Sequence, residues 1–137
     1  MKILKLDTVK DFMDLTDECK EYVRDKGDGV LLVFSRHSTL GVKILENEIL
    51  SLADILNWMD KYIPKDDNYM HNKIGIRNVP PDERLNAASH VRHLLLNTSE
   101  MIPVINGTLQ LGVWQSIMAV ELDSRREREI ILSFING

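Results

Sequence analysis

The stretch from Met101 to Glu121 constrains the fold of this chain more than any other. It reads MIPVINGTLQLGVWQSIMAVE, in which Asn106 and Gly107 separate two apolar runs. An Asn-Gly pair in that setting is the strongest short-range hairpin signal, because both central residues of a type I′ turn need positive φ. The stretch therefore predicts a strand, a tight turn, a second strand and then a long apolar strand. The rest of the chain must cover or extend this sheet.

Two polar residues interrupt the apolar part of that stretch. Gln115 and Glu121 fall on the same face of a strand by parity. A buried carboxylate is costly unless it is paired or hydrogen-bonded, so its presence there suggests a site. A buried hydrogen-bonded pair without catalysis explains the same pattern, and the sequence leaves both interpretations open.

Hydrophobic periodicity predicts one α+β domain over residues 1–137, with a mainly antiparallel sheet or sandwich and about three helices. Thr8 is expected to cap the first helix, whose apolar face continues to Val23. The second helix is predicted at residues 46–63 and the third at residues 86–96. Strands outside the hairpin stretch are predicted at residues 2–6, 30–34, 40–44 and 130–135.

The pattern also predicts how some of these elements pack. Residues 30–34 (VLLVF) are wholly apolar, which indicates a strand buried on both faces. Residues 65–86 lack a sustained period and are interpreted as a long ordered loop, of the kind that is uncommon unless functional. The packed side of the third helix is predicted to consist of Ala87, Val91, Leu94 and Leu95.

Composition narrows the class of protein. The chain is 44% hydrophobic and 28% charged, which is typical of a soluble globular protein, and its formal net charge is −4. That charge offers no general attraction to nucleic acid or to anionic membranes. Cys19 is the single cysteine, and the N-terminus lacks the long apolar segment of a signal peptide, so we expect a cytoplasmic protein. The basic group Arg125, Arg126 and Arg128 is interpreted as a solvated turn between two strands, with an anion contact as the alternative.

Histidines are the main candidates for chemistry. His37 precedes a predicted strand, His71 lies in the long loop, and His90 lies on the third helix. Imidazoles brought together by folding can make a metal site or an acid–base pair, since they bind metals and titrate near neutrality. The spacing matches no local motif, and each histidine taken singly has a structural or solvated explanation. His93, beside the apolar side of the helix, is the weakest candidate.

A second candidate is Glu46-Asn47-Glu48 at a strand-to-helix junction, where carboxylates are also favoured simply by the first helical turn. The chain contains no Walker loop, Rossmann glycine pattern, nucleophile elbow or CxxC pair. The residues by themselves therefore indicate a soluble α+β domain with a polar pocket, and no reaction.

Several stretches nevertheless resemble one known family. The most specific of these stretches are the isoleucine, proline and glycine positions around the hairpin and the Leu-Gly-x-Trp-Gln motif that follows them. The stretches that carry the resemblance are His37-Ser38-Thr39-Leu40-Gly41, Glu46-Asn47, Tyr69 with His71, Asn86 with Ser89-His90-Val91-Arg92, Ile102-Pro103-Val104, Asn106-Gly107 and Leu111-Gly112-Val113-Trp114-Gln115. Together they are similar to the YjbQ family, described as having secondary thiamine-phosphate synthase activity.

This resemblance implies an α+β homotrimer whose subunits pack their sheets together, with pockets near the subunit contacts. The implied reaction joins hydroxymethylpyrimidine diphosphate to thiazole phosphate with loss of pyrophosphate, which needs cations or a divalent metal ion to stabilise the departing diphosphate. The implied catalytic residues are His37, Glu46, His71, His90 and Glu121. Substrate binding falls to Asn47, Asn86, Trp114 and Gln115, and a metal would be held by His37, His71 and His90.

The chain departs from the family pattern in ways that keep other functions open. Leu85 occupies a usual glycine position, Ala88 stands where related members often have a second histidine, and Val113 replaces a usual threonine. A non-catalytic trimeric protein that binds a small molecule is one alternative. A metal-dependent hydrolase of a phosphorylated small molecule is another.

Overall fold

Two antiparallel β-sheets form the frame of the structure, a computed structural model that describes residues 1–137. The strands are β1 (Lys2–Asp7), β2 (Phe12–Asp14), β3 (Gly29–Ser35), β4 (Leu40–Leu45), β5 (Ser99–Ile105), β6 (Thr108–Leu109), β7 (Ser116–Glu121) and β8 (Glu127–Asn136). The larger sheet has the order β1-β8-β3-β5-β6 and the smaller sheet the order β2-β7-β4. The predicted α+β class with mainly antiparallel sheets is confirmed.

Three α-helices connect the strands: α1 (Thr16–Val23), α2 (Ile49–Tyr62) and α3 (Ala87–His93). The Glu48 carboxylate caps α2 by accepting hydrogen bonds from the backbone N–H groups of Leu50 and Ser51. The predicted long loop contains two short 3₁₀ turns, Met70–Asn72 and Ile74–Ile76. No helix is both long enough and apolar enough to span a bilayer.

The predicted hairpin is present. Asn106 has a φ of 48° and Gly107 a φ of 71°, the left-handed values that a type I′ turn requires. A Cβ atom on Gly107 would lie 2.3 Å from the carbonyl oxygen of Arg24, so the close approach also demands glycine. After β6 the chain leaves the larger sheet and enters the smaller one as β7, so this stretch links both sheets.

The main core fills the space between the sheets. Strand residues on the inward faces of both sheets alternate with outward ones, as the period of two requires. On the larger sheet Leu31, Val33, Ile102, Val104, Ile130 and Leu132 are almost fully buried, and on the smaller sheet Val42, Ile117 and Ala119 are fully buried. Helix α1 closes this core with Cys19 and Val23, both completely buried.

The outward face of the larger sheet is also apolar, and nothing in the chain covers it. Along β3, Leu31 and Val33 point inward, while Phe34 is 37% exposed. On the same outward side, Leu32 pairs with Met101 of β5 and Phe34 pairs with Ile131 of β8. The prediction that β3 is buried on both faces is therefore wrong for the single chain, because its second apolar face has no intramolecular partner.

Two helix predictions need correction. The first helix begins at Thr16 rather than after Thr8, because Phe12 belongs to the short strand β2, which pairs with Val120 of β7. Thr8 caps no helix, and its hydroxyl group donates to Glu121 instead. Strand pairing thus overrides the helical spacing of apolar residues, which runs through both β2 and α1.

The packed side of α3 is not the predicted one. Ala87 is buried as expected, but Val91 is 41% exposed and Leu94 is 83% exposed. The buried positions are instead Ala87, Ala88, Ser89 and Arg92. The Arg92 guanidinium turns inward because it donates to the carbonyl oxygen of Ile63 and to the Asp60 carboxylate.

Candidate functional site

A buried ion pair between Glu121 and Arg128 joins the two sheets. Arg128 Nε donates to Glu121 Oε2 over 2.7 Å, and both side chains are almost completely buried. Thr8 Oγ1 donates to the same oxygen over 2.7 Å, and Arg128 also donates to Thr39 Oγ1 over 3.1 Å. Burial by itself raises the pKa of Glu121, but the hydrogen bonds from Arg128 and Thr8 outweigh it and hold that pKa below 4.5.

The interpretation of Arg128 as part of a solvated turn is wrong. Its side chain points between the sheets together with Ile130 and Leu132, two and four residues further along β8. That period of two was the signal that could have identified it as an inward residue. Glu121 is buried as predicted, and its carboxylate oxygens are all engaged in this network.

We expect the change Arg128→Met to lower the free energy of unfolding by about 3–5 kcal/mol, because it leaves the Glu121 carboxylate buried without its partner. Chemical denaturation measures the loss. Arg36→Met is the matched control, since Arg36 pairs with Glu129 at the surface over 2.8 Å, and such pairs contribute less than about 1 kcal/mol. Equal losses in the two variants would contradict a structural role for the buried pair.

Beyond this ion pair, two of the predicted histidines meet. His71, in the first 3₁₀ turn, and His90, on α3, have ring centroids 4.8 Å apart with an interplanar angle of 69°. Two hydrogen bonds hold the elements that carry them. Ser89 Oγ donates to the carbonyl oxygen of Leu122 over 2.7 Å, and the backbone N–H of Ala87 donates to Asn72 Oδ1 over 3.1 Å.

Positive charge surrounds this histidine pair. Arg126 donates to the Asp123 carboxylate over 3.1 Å, and Arg84 lies 3.7 Å from the same carboxylate. Arg77 donates to the carbonyl oxygen of His71 over 2.8 Å. Arg84 and Arg126 thus share one carboxylate, and Arg77 lies against His71, so three guanidinium groups stand near the imidazoles.

The protonation state of His90 follows from the groups around it. Burial lowers the pKa of His90 below its usual 6.5, the neighbouring His71 lowers it further, and Asp123 opposes both. His90 is therefore neutral at neutral pH and can accept a hydrogen bond or a proton. The predicted Asn86 lies at the start of α3, with its Nδ2 atom 3.5 Å from an Asp123 oxygen, so it belongs to the same group.

His37 lies apart from that pair. Its Nε2 atom accepts a hydrogen bond from the backbone N–H of Glu129 over 2.9 Å. The neutral ring must then carry its proton on Nδ1. Burial lowers the pKa of His37, and the nearby Arg128 lowers it further.

An open groove of about 480 Å³ contains His37 together with His93. His93 Nε2 is buried without a hydrogen-bond partner, although the sequence ranked this histidine last. Its helical neighbours gave no signal of this, because the groove is formed by a strand distant in sequence.

The predicted metal site would need His37, His71 and His90 in one place. No three side chains of the His, Cys, Asp and Glu types come together in the chain as a metal centre would require. His71 and His90 are adjacent, but His37 has its Nε2 occupied by a backbone amide. Within one chain these residues do not fit a three-histidine metal centre.

The remaining predicted residues lie elsewhere. Glu46, Asn47 and Trp114 line a small groove of about 230 Å³, and Trp114 is 74% exposed. Asn47 Nδ2 donates to Asp14 over 2.8 Å. Gln115 precedes β7 rather than standing within it, and its Oε1 atom accepts from the backbone N–H of Gly112. The interpretation of Gln115 and Glu121 as two residues on one strand face is therefore wrong.

Two groups of predicted site residues lie at opposite ends of β7: one contains Glu46 and Trp114, and the other contains the histidine pair. Ser116 at one end pairs with Leu45, next to Glu46, while Asp123 lies two residues after Glu121 at the other end. Six residues of strand at about 3.4 Å each place the two ends about 17 Å apart. One chain therefore brings together His71, His90 and Asn86 but separates them from Glu46, Asn47 and Trp114.

The fold and this site define a class: an antiparallel α+β protein with a histidine pair beside an arginine-rich surface. The family model described as UPF0047 protein YjbQ-like matches residues 2–137. The chain belongs to the YjbQ (UPF0047) family, as the sequence motifs predicted.

Relatives of known sequence and structure agree with this assignment. A UPF0047 protein of Methanothermobacter thermautotrophicus is 41% identical over 125 residues, covering 90% of this chain and 81% of the relative. The crystal structure of an uncharacterised YjbQ/UPF0047 family protein from Clostridium acetobutylicum has a TM-score of 0.85 at 31% identity, covering 98% of this chain and 100% of the other. A YbjQ-like protein of unknown function from Sulfolobus solfataricus has a TM-score of 0.87 at 28% identity, covering 99% of this chain and 96% of the other.

We expect nitrogen-detected NMR to find His37 as the Nδ1–H tautomer with a pKa below 6.5, because its Nε2 atom accepts from a backbone amide and burial disfavours the cation. Because the pKa values of His37 and His90 are both lowered in the folded chain, its free energy of unfolding depends on pH. The stability they contribute is complete above pH 6.5 and is lost as the pH falls below 6.5 through the folded-state values. An Nε2–H tautomer at His37 would contradict the assigned hydrogen bond.

Proposed function

We propose that the chain binds a phosphorylated small molecule at the His71–His90 pair and acts on it as a transferase of the thiamine-phosphate synthase type. The observation that carries this proposal is the contact of two imidazoles beside the guanidinium groups of Arg77, Arg84 and Arg126. Arginine matches the geometry of phosphate oxygens and remains charged at every physiological pH. A phosphate or diphosphate group is the ligand that such a surface favours.

The chemistry of that reaction suits these residues. The thiazole nitrogen attacks the methylene carbon of the pyrimidine half, the bond from that carbon to the diphosphate oxygen breaks, and pyrophosphate leaves with the electron pair. Charge develops on the departing diphosphate, where positioned cations stabilise the transition state most. Arg84 and Arg126 can supply donors here, since each is partly exposed and shares Asp123 with the other. Neutral His90 adds a hydrogen-bonding group at the same place.

The alternatives draw on the same surface. Leu85, at a usual glycine position of the family, is 68% exposed and does not fill the site. Ala88 is buried and supplies no further imidazole beside His71 and His90, which favours a protein that binds the phosphorylated molecule without transforming it. A metal-dependent hydrolase would need ligands that one chain does not bring together.

We expect His90→Gln to lower the formation of thiamine phosphate from its two phosphorylated halves by at least about tenfold, and Arg84→Ala to weaken pyrophosphate binding by about 10- to 100-fold. Chromatography of the product and calorimetry with pyrophosphate measure these effects on tag-free protein. Lys2→Ala is the control, because it removes an exposed cation from the edge strand β1.

The outcomes separate the candidate functions. Pyrophosphate binding that depends on Arg84 but no product would favour the non-catalytic binding protein. Release of inorganic phosphate from either half on addition of a divalent metal would favour the hydrolase. Absence of both binding and turnover in the unmodified protein would refute the proposed function.

We also propose that the chain assembles as a homotrimer. What supports this is the uncovered outward face of the larger sheet, where Leu32, Phe34, Met101 and Ile131 form neighbouring cross-strand pairs. Contiguous exposed apolar surfaces on a folded chain mark interaction sites. Packing against another subunit would also bury the second apolar face of β3, as expected for a wholly apolar strand.

We expect Met101→Glu to reduce the mass of the assembly in light scattering, because Met101 is 60% exposed on this face and a carboxylate there would have to be buried on assembly. Val9→Glu serves as the control, since Val9 is 65% exposed in the loop after β1, away from the strands of this face. A monomeric unmodified protein would contradict the trimer, and an unchanged mass in the Met101 variant would place the contact elsewhere.

A further inference from the structure

One carboxylate oxygen collects the side-chain donors beside the histidine pair. Asp123 Oδ2 accepts a hydrogen bond from Arg126 over 3.1 Å, and it lies 3.5 Å from Asn86 Nδ2 and 3.7 Å from a guanidinium nitrogen of Arg84. These donors come from the turn between β7 and β8, the start of α3 and the loop before α3. The same carboxylate lies near His90, since its charge acts to raise the pKa of that ring. Asp123 therefore occupies the place where the donors of the proposed phosphate site converge.

The contacts of Asp123 are looser than those of the buried ion pair next to it. Only the distance to Arg126 falls within the usual range of roughly 2.7–3.2 Å for such a hydrogen bond. All three donors approach Oδ2, whereas Glu121 has both of its carboxylate oxygens bonded. A phosphate group presents several acceptor oxygens and matches the geometry of guanidinium donors. It can therefore meet these donors better than one carboxylate oxygen does.

The backbone at Asp123 is held independently of these side-chain contacts. Its N–H group donates to Glu121 Oε1 over 3.1 Å, so the buried ion pair fixes the position of the main chain. The Asp123 side chain can leave its donors by rotation about its own bonds, without any movement of β7.

A small cavity offers room for the released carboxylate. The cavity borders Asp123 and has a volume of about 90 Å³, whereas a water molecule takes up about 30 Å³. Its other charged lining residues are Asp11, Asp60, Lys65, Arg92 and Glu121. Two of these three carboxylates are paired with arginines, and Lys65 balances the third. The cavity therefore holds no excess negative charge that would repel the Asp123 side chain.

The net charge around Arg84 does not by itself select an anion. Asp82 and Glu83 directly precede Arg84, and their carboxylates oppose the positive charge of the arginines. Glu83 Oε1 accepts from the backbone N–H of Arg84 over 3.3 Å, and neither acidic side chain forms a salt bridge. Anion binding here therefore depends on which acceptor holds the guanidinium groups, and in this structure that acceptor is Asp123.

We propose that Asp123 occupies the phosphate site of the unliganded chain, and that a phosphate group binds by displacing its carboxylate from Arg84, Arg126 and Asn86. This inference rests on the proposed function, because it adds an autoinhibitory contact to the same site. The contact lowers the apparent affinity by the fraction of molecules in which Asp123 is released. A ligand must make better contacts than one carboxylate oxygen does, which favours phosphate and diphosphate groups over simple carboxylates.

Calorimetry with pyrophosphate on the unmodified chain and on Asp123→Asn tests the displacement. Asparagine keeps the shape of the side chain but loses the Coulomb attraction to the guanidinium groups. We expect pyrophosphate binding to tighten at least about tenfold, which corresponds to a released state populated at about 10% or less in the unmodified chain. If Asp123 only positioned the arginines, the same substitution would weaken binding instead.

Asp82→Asn and Glu83→Gln are the matched controls. Each removes one negative charge near Arg84 without removing a guanidinium contact, so each should change the affinity by less than about twofold in physiological salt. An equal gain in all three variants would show a general charge effect and would overturn the displacement. Arg84→Ala in the Asp123→Asn chain should weaken binding by about 10- to 100-fold. Tight binding that does not depend on Arg84 would lie elsewhere and would also overturn the displacement.

Carbon-detected NMR of the unmodified chain follows the carboxylate directly. The Cγ resonances of Asp123 and Asp82 are assigned through their own backbone amides, so the result does not depend on how well any variant folds. We expect pyrophosphate to shift the Asp123 resonance and to leave that of Asp82 in place. Saturation with pyrophosphate that leaves the Asp123 resonance unchanged overturns the displacement.

The displacement and the proposed function fail in different ways. If the unmodified chain binds pyrophosphate and Asp123→Asn binds it equally or more weakly, the displacement is refuted and the proposed function stands. If only Asp123→Asn binds pyrophosphate and the unmodified chain has no turnover, the displacement is supported and the proposed function is refuted. Absence of binding and turnover in both chains refutes both.

Discussion

Glu121 and Arg128 form a buried ion pair that ties the two sheets together. It joins the end of β7 in the smaller sheet to the start of β8 in the larger sheet, and it draws in the hydroxyl groups of Thr8 and Thr39. Both charges are buried, so neither can be removed without leaving the other unpaired in a medium of low dielectric. The pair thereby fixes how the two sheets meet at this end of the molecule.

The candidate site is built outward from that pair. The backbone N–H of Asp123 donates to Glu121, which places the Asp123 carboxylate among Arg84 and Arg126. On the other side, the residue after Arg128 offers its backbone N–H to His37 and so fixes the tautomer of that ring. Since Glu121 and Arg128 neutralise each other, the surface charge near the histidines comes from the remaining arginines. The buried pair of Glu121 and Arg128 and the surface guanidinium groups of Arg84 and Arg126 are thus connected through Asp123.

Much of the fold could be predicted from the sequence where the signal was local. The Asn106-Gly107 turn, the end of α2 before Pro64 and the strand β4 each depend on a few neighbouring residues. The errors arose where a distant segment decided the outcome. Phe12 fits a helical spacing, yet pairing with Val120 made it part of a strand. His71 and His90 were predicted to approach each other, and they do. By contrast, no residue close to Arg128 or His93 in the sequence indicated which groups would lie opposite their side chains.

The family, the α+β class and the hairpin could be predicted from the sequence, because periodicity, turn conformation and motif spacing are properties of short segments. The grouping of the candidate site residues depends instead on contacts between distant parts of the chain. Sheet register set Arg128 against Glu121, brought His71 to His90, and placed Glu46 and Trp114 at the far end of β7. The physical reason is that distances between residues far apart in sequence are set by strand pairing and core packing, which no local pattern encodes.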